Sequence, residues 1–181
     1  MSFSGKVKEE TGRKISPARH CQIAEMTAIL ALCGTVVINR FNRYSLKIRT
    51  ENLVVARKVF TLIEKTFNIK ADISIRRNIL KHSVSYSVIV RRHEDAVRIL
   101  QAAKMMDSSV SECGEFVSVN PLVIKQTCCR RAFIRGAFLA AGSMSDPKKS
   151  YHFEIVCASE QLSLKLQEVI CGFDMDAKTV Q

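Results

Sequence analysis

Two stretches of this chain, 108 positions apart, constrain its fold more than any other feature: "CQIAEMTAILALCG", ending at Gly34, and "CRRAFIRGAFLAAG", ending at Gly142. Both begin with cysteine, carry alanine at their fourth position and stop at glycine, after which β-branched or small residues take over. Apolar residues recur at helical spacing through both. Ala24 and Ala28 stand four apart, as do Ala132, Gly136 and Ala140, so each helix presents a stripe of small side chains. A glycine inside a helix costs up to about 1 kcal/mol relative to alanine, and the close approach of a second backbone offsets that cost. The pair therefore predicts two helices packed on each other about a pseudo-twofold axis, through Ala24, Ala28, Gly34, Ala132, Gly136, Ala140 and Gly142.

The segments after each copy extend the repeat. "TVVINRFNRYSLKIRT" reads as a hairpin turning near Asn42 and Arg43, with Thr50 as the cap of a helix reaching about Phe67. "ADISIRRNILKHSVSYSVIV" alternates twice, predicting a second hairpin with one apolar face (Ile73, Ile75, Val84, Tyr86, Val88, Val90) and one polar face. A helix from Glu94 to Met106 completes an α-ββ-α-ββ-α unit that begins near His20 and, with the N-terminal segment before it, makes up residues 1–106. Residues 107–126 read as a linker punctuated by Pro121. Residues 127–181 form a partial second unit: "YSLKI" is echoed by "YHFEI", and "TENL" by "SEQL" with Ser159 as helix cap. The fold class is α+β. A final hairpin and helix are absent from the second copy, so the chain is expected to be the N-terminal portion of a longer protein.

Lys and Arg number 28 against 17 Asp and Glu, a net charge of +11, an excess that points to a polyanionic partner, with nucleic acid ahead of a membrane surface. The seven cysteines are odd in number and show no pair of CxxC knuckles, so neither a disulfide frame nor a zinc site is expected, and no cofactor is called for. "MSFSGKVKEETGRK" lacks the apolar core of a targeting peptide, and Ala24 to Ile38 is too short and too polar for a bilayer. The expectation is a cytoplasmic chain with reduced thiols and no membrane partner.

The period of two places candidate contacts for the anion. With Leu46 and Ile48 inward, Lys47 and Arg49 point outward, and Arg76 does likewise from the second hairpin. Arg40 and Arg43 flank the first turn; Arg77, Lys81 and His82 surround the second. Lys148 and Lys149, with His152, form the matching group in the second copy, although Glu154 stands where Lys47 stood. Singly, each reads as a solvated charge that keeps strand edges apart; as a set they read as a surface for phosphates. Arg130, Arg131 and Arg135 lie on the second motif helix, within reach of the linker or of acids in the first copy. His20 and His93 need no role beyond hydrogen bonding.

A duplicated helix that ends in glycine and runs into a basic hairpin resembles the LAGLIDADG homing-endonuclease fold. "SFSGKVKEE", "GEFVSVNP" and "CCRRAFIRGAFLAAGSMSDPKKSYHFEIV" are similar, more specifically, to the WhiA family of bacterial sporulation and cell-division transcription regulators. The resemblance implies that the motif helices form the unit interface, that the sheets form a saddle over double-stranded DNA, that a helix-turn-helix domain follows residue 181, and that the chain is nucleoid-associated. It also places the carboxylates of the cutting enzymes just before the final glycines. Those positions are Cys33 and Ala141. A thiol is a poor ligand for a hard cation and a methyl is none, so neither a catalytic metal site nor nuclease activity is expected. Asp146, past the helix end, reads as a turn residue. The rival expectation is a protein-interaction module that tunes assembly of a DNA-binding protein without touching DNA itself.

Overall fold

A computed structural model describes residues 2–106 and 114–180; the first part of the expected linker, 107–113, lies outside them. Helix α1 (Phe3–Arg13), capped by the Ser2 hydroxyl accepting from the Gly5 amide, precedes the expected unit and was not foreseen. It packs on the later helices closely enough that a Cβ on Gly12 would lie 2.3 Å from Val54 Cγ1.

The unit itself follows the expected order. Helix α2 (Arg19–Cys33) runs directly into β1 (Gly34–Ile38), which pairs antiparallel with β2 (Tyr44–Thr50). The turn between them is set by the Asn39 carboxamide, which accepts from the amides of Phe41 and Arg43, and by Asn42 in the left-handed region. Helix α3 (Leu53–Phe67) is capped by Asn52, whose Oδ1 accepts from Val54 N at 2.8 Å. Thr50, the expected cap, sits one step outside, its hydroxyl accepting from the Asn52 amide. Strands β3 (Asp72–Asn78) and β4 (Ser83–Val90) follow, then α4 (His93–Ala102). The last helix stops short of Met106 because Lys104 adopts φ 54° and Met105 N turns back to Leu100 O.

The four strands lie in the order β1-β2-β4-β3. Helices α2, α3 and α4 cover one face, where Val36, Leu46, Ile48, Val88 and Val90 are buried. The predicted apolar face of the second hairpin is realised on β4 only. On β3, Ile73 and Ile75 are 48% and 61% exposed, because the helical layer packs against β2 and β4 and leaves this edge strand overhanging.

From Gly114 onward the expected linker belongs to the packed structure. Val36 N donates to Gly114 O, Glu115 bridges to Thr35 at the β1 edge, and Phe116, Val119, Val123 and Ile124 are buried, the last two in a short 3-10 helix (Pro121–Ile124). Helix α5 (Thr127–Ala141), β5 (Gly142–Met144), β6 (Phe153–Ile155) and α6 (Glu160–Cys171) complete the chain, with Ser159 capping α6 through Leu162 N. Leu162, Leu166 and Val169 of α6 join the same apolar cluster as Met26, Leu30 and Leu62 of the first unit, so one core serves both copies.

Helices α2 and α5 form the central packing of the molecule. Ala24, Ala28 and Ala132 are almost completely buried, and a Cβ on Gly136 would meet Glu25 O at 2.4 Å and Ala28 Cβ at 3.1 Å. Gly34 and Gly142 end the two helices in the same extended conformation. A buried charge network crosses the seam. The Glu25 carboxylate accepts from Lys58 Nζ of α3 at 2.9 Å and from Arg135 Nε and Nη2 of α5 at 3.1 and 3.0 Å, with Glu25 and Lys58 side chains fully enclosed. Arg135 also donates to Ser16 Oγ, and Lys58 to the Lys14 carbonyl. Arg130 reaches the Ile124 carbonyl. Burial pushes the Lys58 ammonium below its ordinary pKa, with Glu25 opposing and Arg135 adding to the fall.

Candidate nucleic-acid interface

The strand register decides which basic residues share a surface. Cross-strand partners lie on the same side of a sheet, so Lys47↔Ile89↔Asp72, Arg49↔Ser87↔Ser74 and Ser85↔Arg76 all project from the face opposite the helices. Lys47, Arg49 and Arg76 are exposed, while Ser85 and Ser87 sit recessed between them. Among the described residues no ion pair joins a carboxylate to any of these three cations; two acids share the face, Asp72, bound to Arg91 at 2.7 Å, and Glu115, which bridges to Thr35 across from Lys47. From the level of Ile89 to that of Ser83 the face runs six residue steps along β4, roughly 20 Å at about 3.3 Å per residue. That length matches about six base pairs of duplex.

The hairpin tips extend this line at opposite ends of the sheet. At one, Arg40 stacks over Phe41 at 4.8 Å and Arg43 pairs with Glu94 at 3.2 Å. Glu94 is held below the usual carboxylate range first by a backbone hydrogen bond and then by the Arg43 charge. At the other tip, Lys81 N donates to Asn78 Oδ1 and His82 takes φ 47°. Arg77, which reads with this group in the sequence, pairs with Val84 and so projects to the opposite side from Arg76. In the second unit, Lys148 and Lys149 occupy the β5–β6 turn, where the Asp146 carboxylate accepts from Lys148 N. Glu154 lies opposite Ser143 as Lys47 lies opposite Thr35. It accepts from Ser143 Oγ and pairs with His152, and these two contacts hold its carboxyl low.

At the C-terminal end of the α2–α5 seam, Cys33 Sγ donates to Ile29 O at 3.2 Å. Removal from water pushes its thiol up to about 12, opposed by the nearby Lys8 ammonium. Lys8, on the unforeseen helix α1, lies over the Phe138 ring at 5.5 Å, and its own pKa is lowered by burial. A cleft of about 1090 Å³ opens here, lined by Lys8, Cys33, Ala140, Arg49 and Glu115. Ala141 offers a methyl. A protonated thiol, a methyl and an ammonium thus stand at the end of the seam.

The N-terminal end of the same seam holds a group the sequence reading did not join. His20 and Cys21 of α2 meet Cys128 and Cys129 of α5, with all four ligand atoms within 4.8 Å of one another. Burial and the neighbouring thiols push Cys21 up to about 12 and raise Cys129 as well. The search for CxxC spacing missed the cluster because its members are two adjacent pairs, one from each copy. The signal was present in the repeat, which aligns Cys21 with Cys129 and His20 with Cys128.

A family model described as the WhiA N-terminal LAGLIDADG-like domain matches residues 19–106, and one described as the WhiA LAGLIDADG-like domain matches residues 130–181. The chain belongs to the WhiA family. A probable cell division protein WhiA from Lachnoclostridium phytofermentans is 46% identical over 182 residues, covering 99% of this chain and 58% of that protein. The chain therefore spans little more than half the length of the curated WhiA relatives it matches. The crystal structure of the N-terminal LAGLIDADG domain of DUF199/WhiA superposes with a TM-score of 0.74 at 18% identity, over 99% of this chain and 79% of that one. A variant of I-DmoI, in complex with its target DNA and in the presence of manganese, superposes with a TM-score of 0.55 at 13% identity, over 88% of this chain and 79% of its own. At such identities the likeness is one of fold: a LAGLIDADG-like architecture, with α1 lying before the first WhiA match. No helix of the described residues is long and apolar enough to cross a membrane.

Proposed function

We propose that this region of a WhiA cell division protein binds double-stranded DNA through the outer face of the β1-β2-β4-β3 sheet and does not cut it. The observation that carries the reading is the row Lys47, Arg49 and Arg76 on a floor of serines, with none of the three in an ion pair with a carboxylate of the described residues. Such a face neutralises phosphates and offers few groups for reading base edges, so the contact is sequence-tolerant. Cys33 and Ala141, with Lys8 beside the thiol, supply no carboxylate at the two motif positions to hold a hard divalent cation against a phosphodiester. Within the whole protein the region acts as a nucleoid-associated anchor for transcription regulation of sporulation and cell division, and a helix-turn-helix domain beyond residue 181 supplies most of the sequence discrimination.

A second reading, docking of a protein partner, draws on the second unit. There the outward position equivalent to Lys47 is Glu154, and Tyr151, Phe153 and Val156 are exposed. Fluorescence anisotropy of a random duplex titrated with the 181-residue chain separates the two readings. Binding at low salt that is lost on reversing Lys47, Arg49 and Arg76 to glutamate supports the DNA reading; no binding at low salt supports the protein-docking one.

A further inference from the structure

We propose that His20, Cys21, Cys128 and Cys129 form a binding site for a thiophilic divalent cation, zinc above all, that staples the starts of α2 and α5 together. The site is independent of the DNA-binding reading and lies at the end of the seam opposite Cys33 and Ala141.

The geometry is that of a closed tetrahedral site. His20 Nδ1 stands 3.2 Å from Cys129 Sγ, 3.5 Å from Cys21 Sγ and 3.9 Å from Cys128 Sγ. With Zn–S at about 2.3 Å and Zn–N at about 2.05 Å, a regular tetrahedron has N···S edges of about 3.5 Å and S···S edges of about 3.8 Å. The three observed N···S distances bracket the first value, and closing the widest separation, 4.8 Å at most, takes small χ1 adjustments. Three thiols and one imidazole are a structural zinc set, soft enough to reject magnesium and calcium. Cys21 and Cys129 are buried on the seam, while His20 and Cys128 are exposed and leave a route of entry.

The backbone supplies a second argument. The four ligands occupy the second and third positions of the two motif helices, at symmetric places in the two copies. Neither helix start carries a side-chain cap, a lack shared with α4, whereas α1, α3 and α6 have Ser2, Asn52 and Ser159. Two uncapped N-termini, with Arg19, Arg130 and Arg131 at their starts, concentrate positive potential, and among the described residues no carboxylate forms an ion pair with these arginines. A zinc ion bound by three thiolates and a neutral imidazole carries a net charge of −1 and suits that field. On binding, each ligating thiol releases one proton to solvent, so uptake of metal is accompanied by proton release. The arginines of the α5 opening turn, unfavourable for an empty helix start, fit a start that holds an anionic complex.

The test uses the reduced, chelator-stripped 181-residue chain titrated with Co2+ and then with Zn2+. One equivalent of Co2+ is expected to give the intense d–d bands of a tetrahedral site and a thiolate charge-transfer band, both bleached by one equivalent of Zn2+, with a rise in the unfolding temperature. Loss of an outer-sphere partner alone weakens zinc sites by 10–100-fold, so Cys129→Ser and Cys21→Ser are expected to weaken binding by at least about 100-fold. Cys128→Ser, at an exposed position where folding is not at stake, is expected to lose part of the charge-transfer intensity, and Cys171→Ser none. Absence of the bands, bands that persist in the Cys21/Cys128/Cys129 triple serine variant, or a Cys21–Cys129 disulfide in protein isolated without oxidant would each overturn the proposal.

Discussion

Gly136→Ala tests the helix seam by the sign of its effect. On an exposed helix face the change stabilises by about 1 kcal/mol, because alanine restricts the unfolded chain and propagates a helix better. Here the new methyl would sit 2.4 Å from the Glu25 carbonyl oxygen and 3.1 Å from Ala28 Cβ, where ordinary contact begins at 3.4 Å. The obstructing atom is main chain on α2 and has no rotamer to escape into. Relief requires the two helices to part by about 1 Å, which also stretches the adjacent Arg135–Glu25 hydrogen bonds. Overpacking of this kind costs about 1–3 kcal/mol; a main-chain obstruction puts it in the upper part of that range, about 2–3 kcal/mol, and subtracting the propensity gain of about 1 kcal/mol leaves a net loss of roughly 1–2 kcal/mol. Urea unfolding followed by far-UV circular dichroism, with the slope held common to both proteins, reads the difference as a lowered midpoint. A variant as stable as the parent, or more stable, would refute the close-approach account of the repeat.

Two further outcomes follow from the buried charges and thiols. Glu25→Ala leaves Lys58 and Arg135 without their shared carboxylate inside the core and is expected to cost about 3–5 kcal/mol, or to prevent folding; replacing Glu25 and Lys58 together by Gln and Met should recover much of that loss in the same unfolding assay. Cys33, raised from 9.0 to about 12, keeps its proton in the folded state across a window in which the unfolded chain releases it. Stability therefore falls as pH rises above about 9, and Cys33→Ala is expected to reduce the slope of the urea midpoint between pH 8 and 10; an unchanged slope would contradict the burial of that thiol.

The parts legible in the sequence were those in which one residue type answers to one local rule. Small residues four apart, repeated at a fixed offset, favour a close helix contact over a patch under a loop or against a sheet, and the alternation in "YSLKI" separates Lys47 and Arg49 from Leu46 and Ile48. What stayed hidden depends on position in the assembled layers. Ile73 and Ile75 alternate as well as Val88 and Val90 do, and nothing local says that β3 is an overhanging edge. Lys58 reads as one more solvated lysine on α3 until Glu25 and Arg135 close over it. Phe116, Val119, Val123 and Ile124 are too irregularly spaced to announce buried structure in a stretch that reads as a linker. Helix α1 contributes no fully buried residue, so it leaves no apolar period to find. The cysteine and histidine pairs are invisible to any search for spacing within one segment, because the fold joins halves lying 108 residues apart.

The central claim, a DNA surface on the outer sheet, is tested most directly by the salt dependence of duplex binding measured with the parent chain and with the Lys47, Arg49 and Arg76 to glutamate variant. Neutralising three phosphates gives a slope of about −2.7 in log K against log salt, so a fourfold rise in salt is expected to weaken the parent by roughly 40-fold or more, while the variant binds far more weakly and with a shallower slope. Equal affinity and equal slope for the two proteins, or no binding by the parent at low salt, would contradict the account.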